Sequence, residues 1–178
     1  MLDNNNLVLV KLTNEYKPQL FEMMDEWTSF ESDDPDDRTP GAIFKNDYHD
    51  FEHYLNDIEF KVPRENRVPD SVFYLLDKSR NIFLGAVNIR HYLNDYLLER
   101  GGHIGDGIRP SERRKGYGTL IIKLALEKCQ ELGIKRVLMT CDKNNVGSRK
   151  TIMNNGGVLE NEITLEDGEV IQRYWITL

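Results

Sequence analysis

Arg113-Arg114-Lys115-Gly116-Tyr117-Gly118 combines three cations with two glycines one residue apart. Glycines at that spacing let the backbone turn tightly and come close to a ligand, because no Cβ stands in the way. A helix is expected over residues 117 to 132. Its first unpaired N–H groups and the positive end of its dipole would face an anion. Cations, glycines and helix start together describe a cradle for a pyrophosphate. The ligand does not read as a dinucleotide, because Ile121 stands where Gly-x-Gly-x-x-Gly places its third glycine. A Walker-type loop is also excluded, since Lys115 precedes its glycine instead of following it.

The cradle needs a strand before it and a packed helix behind it. A fourth strand is expected over residues 101 to 108, leading into the loop through Arg109-Pro110. Its four glycines weaken a strand by themselves, so something is expected to approach that backbone closely. Behind the loop, Leu120, Ile121, Leu124, Ala125 and Leu132 recur at helical spacing, and Gly133 fits the position just past the helix end. Upstream, residues 7 to 12 read as a first strand. A helix capped by Thr13 or Asn14 follows, with Leu20, Phe21, Met24 and Trp27 on one face. Residues 29 to 46 read as an irregular acidic loop, and residues 47 to 60 as a second helix ended by Pro63. Strands at 72 to 76 and 82 to 92 form a hairpin in which Gly85 marks a bulge or a close approach. Residues 94 to 100 make a connector with a helical turn. Downstream come a short buried strand at 136 to 140, a helix over 145 to 155, and a hairpin of strands 158 to 163 and 170 to 177 around Glu166-Asp167-Gly168.

At 178 residues the chain fits one domain, residues 1 to 178, with a substantial core. Its 39% hydrophobic and 30% charged residues are ordinary for a soluble protein. No apolar run approaches the ~20 residues that span a bilayer, and the first residues lack the pattern of a signal peptide. Cys129 and Cys141 are too few for a disulfide framework, so a reducing cytoplasm is expected. The net charge of −7 argues against a general nucleic-acid binder. Glu31, Asp33, Asp34, Asp36 and Asp37 crowd one segment, whereas Arg109, Arg113, Arg114, Lys115, Lys143, Arg149 and Lys150 lie in the second half. That asymmetry suits a cationic acceptor and a phosphorylated donor; a plain solvated loop explains the acidic segment as well.

The loop also matches Arg/Gln-x-x-Gly-x-Gly/Ala, and in this order of strand, loop, helix, strand and Asn-led helix it resembles the acetyl-coenzyme A signature of the GNAT superfamily of N-acetyltransferases. The resemblance runs from about Gly102 through Gly157. It implies an α+β (mixed α/β) fold: a central twisted mixed sheet of about seven strands flanked by helices, with splayed fourth and fifth strands. It also implies a coenzyme-binding core at 102 to 157 and a variable acceptor-side region at 1 to 70. Acetyl-CoA is the implied cosubstrate, no metal is implied, and a homodimer is compatible with the reading. Gly101-Gly102-His103-Ile104-Gly105, Arg109-Pro110-Ser111-Glu112-Arg113 and Arg173-Tyr174-Trp175-Ile176 look like a bacterial group of predicted GNAT-type acetyltransferases.

The implied chemistry is direct attack of an amine on an acetyl thioester, in which positioning and hydrogen bonds to the oxyanion do most of the work. By resemblance, the amide of Ile108 bonds the acetyl carbonyl. Arg113, Arg114, Lys115, Gly116, Tyr117, Gly118 and Thr119 hold the pyrophosphate through their amides and local charge. Asn145 contacts the pantetheine arm, with helix capping as the plainer reading, and Arg149 on the same helix joins the coenzyme contacts. A general base must take a proton from an ammonium; Asp106 and His103 are the candidates, on opposite faces of their strand, with His91 and Glu99 weaker. Many relatives place an acidic tyrosine where this chain has Ile152, and Gly-Phe where it has Gly156-Gly157. A GNAT-fold module that binds coenzyme A without turnover is therefore the alternative. Cys141 reads as a small buried hydrophobe sooner than as a nucleophile.

Overall fold

Strands β2 (Asp70–Asp77) and β3 (Ile82–Arg90) are nearly continuous runs of apolar residues, and both are buried on two faces. They form an antiparallel hairpin, to which β1 (Leu7–Val10) adds beside β2 and β4 (Ile104–Ile108) beside β3. The computed structural model describes residues 6–32, 35–64 and 67–178. Among these, β5 (Arg136–Asp142), β6 (Val158–Thr164) and β7 (Val170–Thr177) form a second sheet in the order β5-β7-β6. The seven strands and the splay of β4 from β5 are as expected. The splay divides the strands into two sheets, and every ladder within each is antiparallel.

Two apolar layers cover the four-stranded sheet. On one face lies α4 (Tyr117–Glu131), with Leu120, Ile121 and Ala125 in one cluster with Val87, Ile89 and Ile104, while α5 (Val146–Asn154) packs beside α4 and against β5 with Ile152 in the same cluster. On the other lie α1 (Lys17–Ser29) and α2 (Phe51–Asp57), with Leu20, Met24, Trp27 and Tyr54 against Val72, Tyr74 and Ala86. Each fully buried side chain of this kind contributes roughly 1.5–3 kcal/mol.

Helix starts correct two expectations. Thr13 lies before a 3-10 turn (Asn14–Tyr16), and neither it nor Asn14 caps α1. The helix begins with Pro18 in its first turn, where no N–H is needed. The second helix is shorter than the 47 to 60 expected. Asp50 accepts the N–H of His53 and sets its start. Its end is set by the sheet: Glu59 accepts from the Val72 N–H at 2.7 Å, and the Phe60 N–H donates to Asp70 at 2.7 Å. The helical turn in the connector is α3 (Asp95–Glu99), capped by Asn94. At Gly85 both expected features coincide. The β2–β3 register slips beside it, and a Cβ there would stand 2.2 Å from the Gly107 carbonyl oxygen.

Candidate active site

The chain enters α4 through a 3-10 turn (Pro110–Glu112), then Arg114 at φ 60° and Gly116 at φ 87°. The left-handed turn at Gly116 aims the following amides outward. The first main-chain bond of α4 runs from Leu120 N–H to Gly116 O at 3.3 Å. No group among the described residues accepts from the N–H groups of residues 114 to 119. Six donors with no acceptor among the described residues, at the positive end of a 15-residue helix, are an arrangement that suits an anion.

The cationic side chains are mostly occupied elsewhere. Lys115 donates to Glu112 at 3.1 Å, and Arg80 holds the same carboxylate at 2.8 Å. Burial opposes ionisation of Glu112, but these two cations hold its pKa below the usual carboxylate range. Arg109 is buried beneath α1, paired with Glu22 and Glu26. Arg113 donates to Ile108 O at 3.0 Å, pairs with Asp37, and lies over the Phe30 ring at 5.3 Å. Arg114 is exposed and makes no ion pair among the described residues, so its charge is the one left facing outward.

The edge of β4 supplies a second row of donors. Arg109 N–H donates to Leu84 O at 2.9 Å and Arg90 N–H to His103 O at 2.8 Å. In an antiparallel ladder bonding residues alternate. Ile104, Asp106 and Ile108 therefore turn their N–H and C=O groups away from β3, into the wedge beside β5. Ile108 N–H belongs to this set. The Asp106 side chain lies on the α4 side, cross-strand from Val87. Its carboxyl has no hydrogen bond or ion pair among the described residues, and loss of hydration pushes its pKa up to about 7.

His103 does different work. Its N–H donates to Leu138 O at 2.8 Å, and its Nδ1 accepts from Leu138 N–H at 2.9 Å. This clasp joins β4 to β5 at the point where they part, and it uses the lone pair a base would need. Burial, then the nearby Arg90 charge, push the imidazole down to about 4. A folded-state pKa below the unfolded 6.5 means this group's stabilisation is complete above pH 6.5 and lost as pH falls toward 4. Up to about 3 kcal/mol is at stake. Melting curves between pH 7 and 4.5 are expected to fall more steeply for the wild type than for His103→Gln; equal slopes would remove the clasp from the pH response.

The glycine-rich strand is approached closely, though by the chain itself. A Cβ at Gly107 would stand 1.9 Å from Thr39 O, one at Gly102 2.4 Å from Leu138 O, and one at Gly105 3.3 Å from the Arg90 guanidinium. Of the acidic segment, Asp33 and Asp34 lie outside the described residues. Asp37 is half-buried against Arg113, and its carbonyl accepts from Trp27 Nε1 at 2.6 Å. Asp37 and Thr39 thus belong to the site. The acidic segment drew attention to Asp37, but no sequence signal marked Thr39, because 67 residues separate it from Asp106, whose carbonyl it bonds at 3.0 Å.

Asn145 caps α5, accepting from Ser148 N–H at 2.9 Å. Arg149 is half-buried beyond it on the same helix. Ile152 is fully buried in the core. A Cβ at Gly157 would lie 2.5 Å from Ile152 Cγ2, so Ile152 and the glycine pair are one packing solution. Cys141 is buried on β5. No helix among the described residues is long and apolar enough to cross a membrane.

A family model described as an acetyltransferase (GNAT) domain matches residues 6–158. No curated protein matches the sequence. Among solved structures, a GNAT-family acetyltransferase from Bacillus anthracis is 16% identical with a TM-score of 0.63, covering 97% of this chain and 95% of its own. Mutant forms of the spermidine/spermine N-acetyltransferase SpeG from Vibrio cholerae give 16% identity and 0.64 over 98% and 95%. The microcin C7 self-immunity acetyltransferase MccE, in complex with acetyl-CoA and AMP, gives 17% and 0.62 over 98% and 94%. With that family match over most of its length, the chain belongs to the GNAT acetyltransferase family.

Proposed function

We propose that the protein transfers the acetyl group of acetyl-CoA to a primary amine of a small molecule or peptide by direct attack. The carrying observation is the row of unaccepted N–H groups at residues 114 to 119 beside the outward-turned edge of β4. Those amides fit a pyrophosphate, and Ile108 N–H fits the oxyanion that develops on the thioester carbonyl. Asp106 takes the amine proton, since an unpaired carboxylate with a pKa of about 7 is poised for general-base work near neutral pH. The carbon–nitrogen bond forms, the carbon–sulfur bond breaks, and the thiolate takes its proton from solvent. A thiolate is a competent leaving group, so the step needs no protein acid at Ile152. Cys129 and Cys141 are buried and form no disulfide among the described residues, which fits a reducing compartment.

Solved structures that share the fold are named for different amines: SpeG for spermidine and spermine, and an acetyltransferase from Vibrio fischeri, 12% identical with a TM-score of 0.61, for the alanine of ribosomal protein S5. Incubation with acetyl-CoA and a panel of polyamines, amino acids and peptide N-termini, following free thiol, is the test. Release with at least one amine is expected. Acetyl-CoA is also expected to raise the melting temperature, by about 2.7 kcal/mol of stabilisation at a hundred times its Kd, and NAD and ATP far less. A larger shift with NAD would overturn the coenzyme assignment. Binding with no thiol release across the panel would favour the coenzyme-binding module that Ile152 allows.

A further inference from the structure

Two carbonyls on the open edge of β4 are held by side chains from distant parts of the chain. Thr39 Oγ1 donates to Asp106 O at 3.0 Å, and Arg113 Nε donates to Ile108 O at 3.0 Å. Both carbonyls belong to the set that turns away from β3, and they flank the Ile108 N–H on the same side of the strand. Left bare, each would present its negative end where an oxyanion is to form. The guanidinium is itself fixed: Asp37 pairs with it, Phe30 lies beneath it at 5.3 Å, and Trp27 holds the Asp37 carbonyl at 2.6 Å. Gly107 lets residues 37 to 39 cross the strand, since a Cβ there would meet Thr39 O at 1.9 Å.

We propose that Thr39 and Arg113 are positioning residues of the acyl-transfer site, masking the carbonyls of Asp106 and Ile108 so that the edge of β4 around the Ile108 N–H presents that donor without a competing acceptor beside it. The proposal rests on the acyl-transfer reading. It removes Arg113, the first residue of the loop motif, from phosphate binding and assigns it to the reaction centre. Asp37 then serves to hold that guanidinium, so one residue of the acidic segment becomes part of the wall beside the thioester.

The test is the infrared carbonyl stretch of [1-13C]acetyl-CoA bound to the full-length protein, read with kcat and KM for the best amine. The wild type is expected to lower the stretch relative to free coenzyme. Thr39→Val removes the hydroxyl at nearly constant volume and should reduce that shift. It should also lower kcat by about tenfold, the worth of one hydrogen bond, with KM for acetyl-CoA changed less than about twofold. Thr39→Ser should restore both. Arg113→Gln should do the same to the stretch and to kcat while raising the coenzyme Kd less than about threefold. An unshifted stretch in the bound wild type, or one unchanged in Thr39→Val and Arg113→Gln, overturns the proposal and leaves the acyl-transfer reading standing. So does a rise of tenfold or more in coenzyme Kd for Arg113→Gln with kcat kept. A wild type that does not bind acetyl-CoA removes the reading, and the proposal with it.

Discussion

Asp106→Asn is expected to lower kcat/KM by about 100-fold or more at pH 8, and at the same pH to make the protein more stable. The first effect follows from the usual worth of a positioned general base, about 10²–10⁴ in rate. The second follows from the environment of the carboxyl. With no partner among the described residues and a folded-state pKa raised to about 7, it binds a proton more tightly folded than unfolded. Stability from this group is therefore full below pH 3.8, falls as pH rises toward 7, and stays low above it. An uncharged isostere removes that penalty, and allowing for partial hydration a gain of about 1–2 kcal/mol at pH 8 is expected. Wild-type kcat/KM should rise through pH 7 and level off, whereas the variant's should be flat there. Melting temperatures and pH–rate profiles on the two proteins check both halves. A variant that keeps the wild-type profile would return the base to another group or to a water chain. His103 gives the control of opposite sign, since its lowered pKa makes acid, not alkali, the destabilising direction.

How much of this was legible depended on distance along the chain. The cradle was readable because all its parts are local: Gly116 at φ 87°, the uncapped start of α4 and the preceding turn fall within ten residues. The deeply packed α4 and the cap at Asn145 were read from the same kind of local signal, whereas the splay of β4 from β5 was implied by the family resemblance and the cap at Asn94 was not foreseen. What failed to show was the use of side chains over long separations. Arg109, Arg113 and Lys115 look alike in a sequence, yet the first anchors α1, the second crosses to Asp37, and the third serves Glu112. The glycines of β4 correctly announced close approach, but sequence offered no way to see that Thr39 O and Leu138 O are what approach. Ile152 looked like a lost catalytic tyrosine; it is a core residue whose methyl group occupies the space a Gly157 side chain would need. The second helix ended early for the same reason, since Glu59 and the N–H of Phe60 are committed to β2.

The cradle itself is most sensitive at Gly116, and a three-residue series there separates geometry from bulk. At φ 87° an alanine is strained by roughly 1–2 kcal/mol, while asparagine enters the left-handed region more readily. Gly116→Ala is expected to raise the acetyl-CoA Kd at least tenfold, about 1.4 kcal/mol, because relaxing that strain rotates the amides of Tyr117, Gly118 and Thr119 away from a common centre. Gly116→Asn should fall between alanine and wild type. Gly118 supplies the comparison. Its ideal Cβ would lie 3.7 Å from Thr151 Cγ2, an ordinary contact, so Gly118→Ala should fold normally and bind coenzyme within about twofold of wild type. Gly118→Val adds two methyl groups at the mouth of the cradle and should again weaken binding at least tenfold. Titration calorimetry with acetyl-CoA on the folded variants measures each value. If Gly116→Ala binds as tightly as the wild type, the amides of residues 114 to 119 are not what holds the pyrophosphate. A loss at Gly118→Ala equal to that at Gly116→Ala would mean that bulk, not the left-handed turn, limits the site.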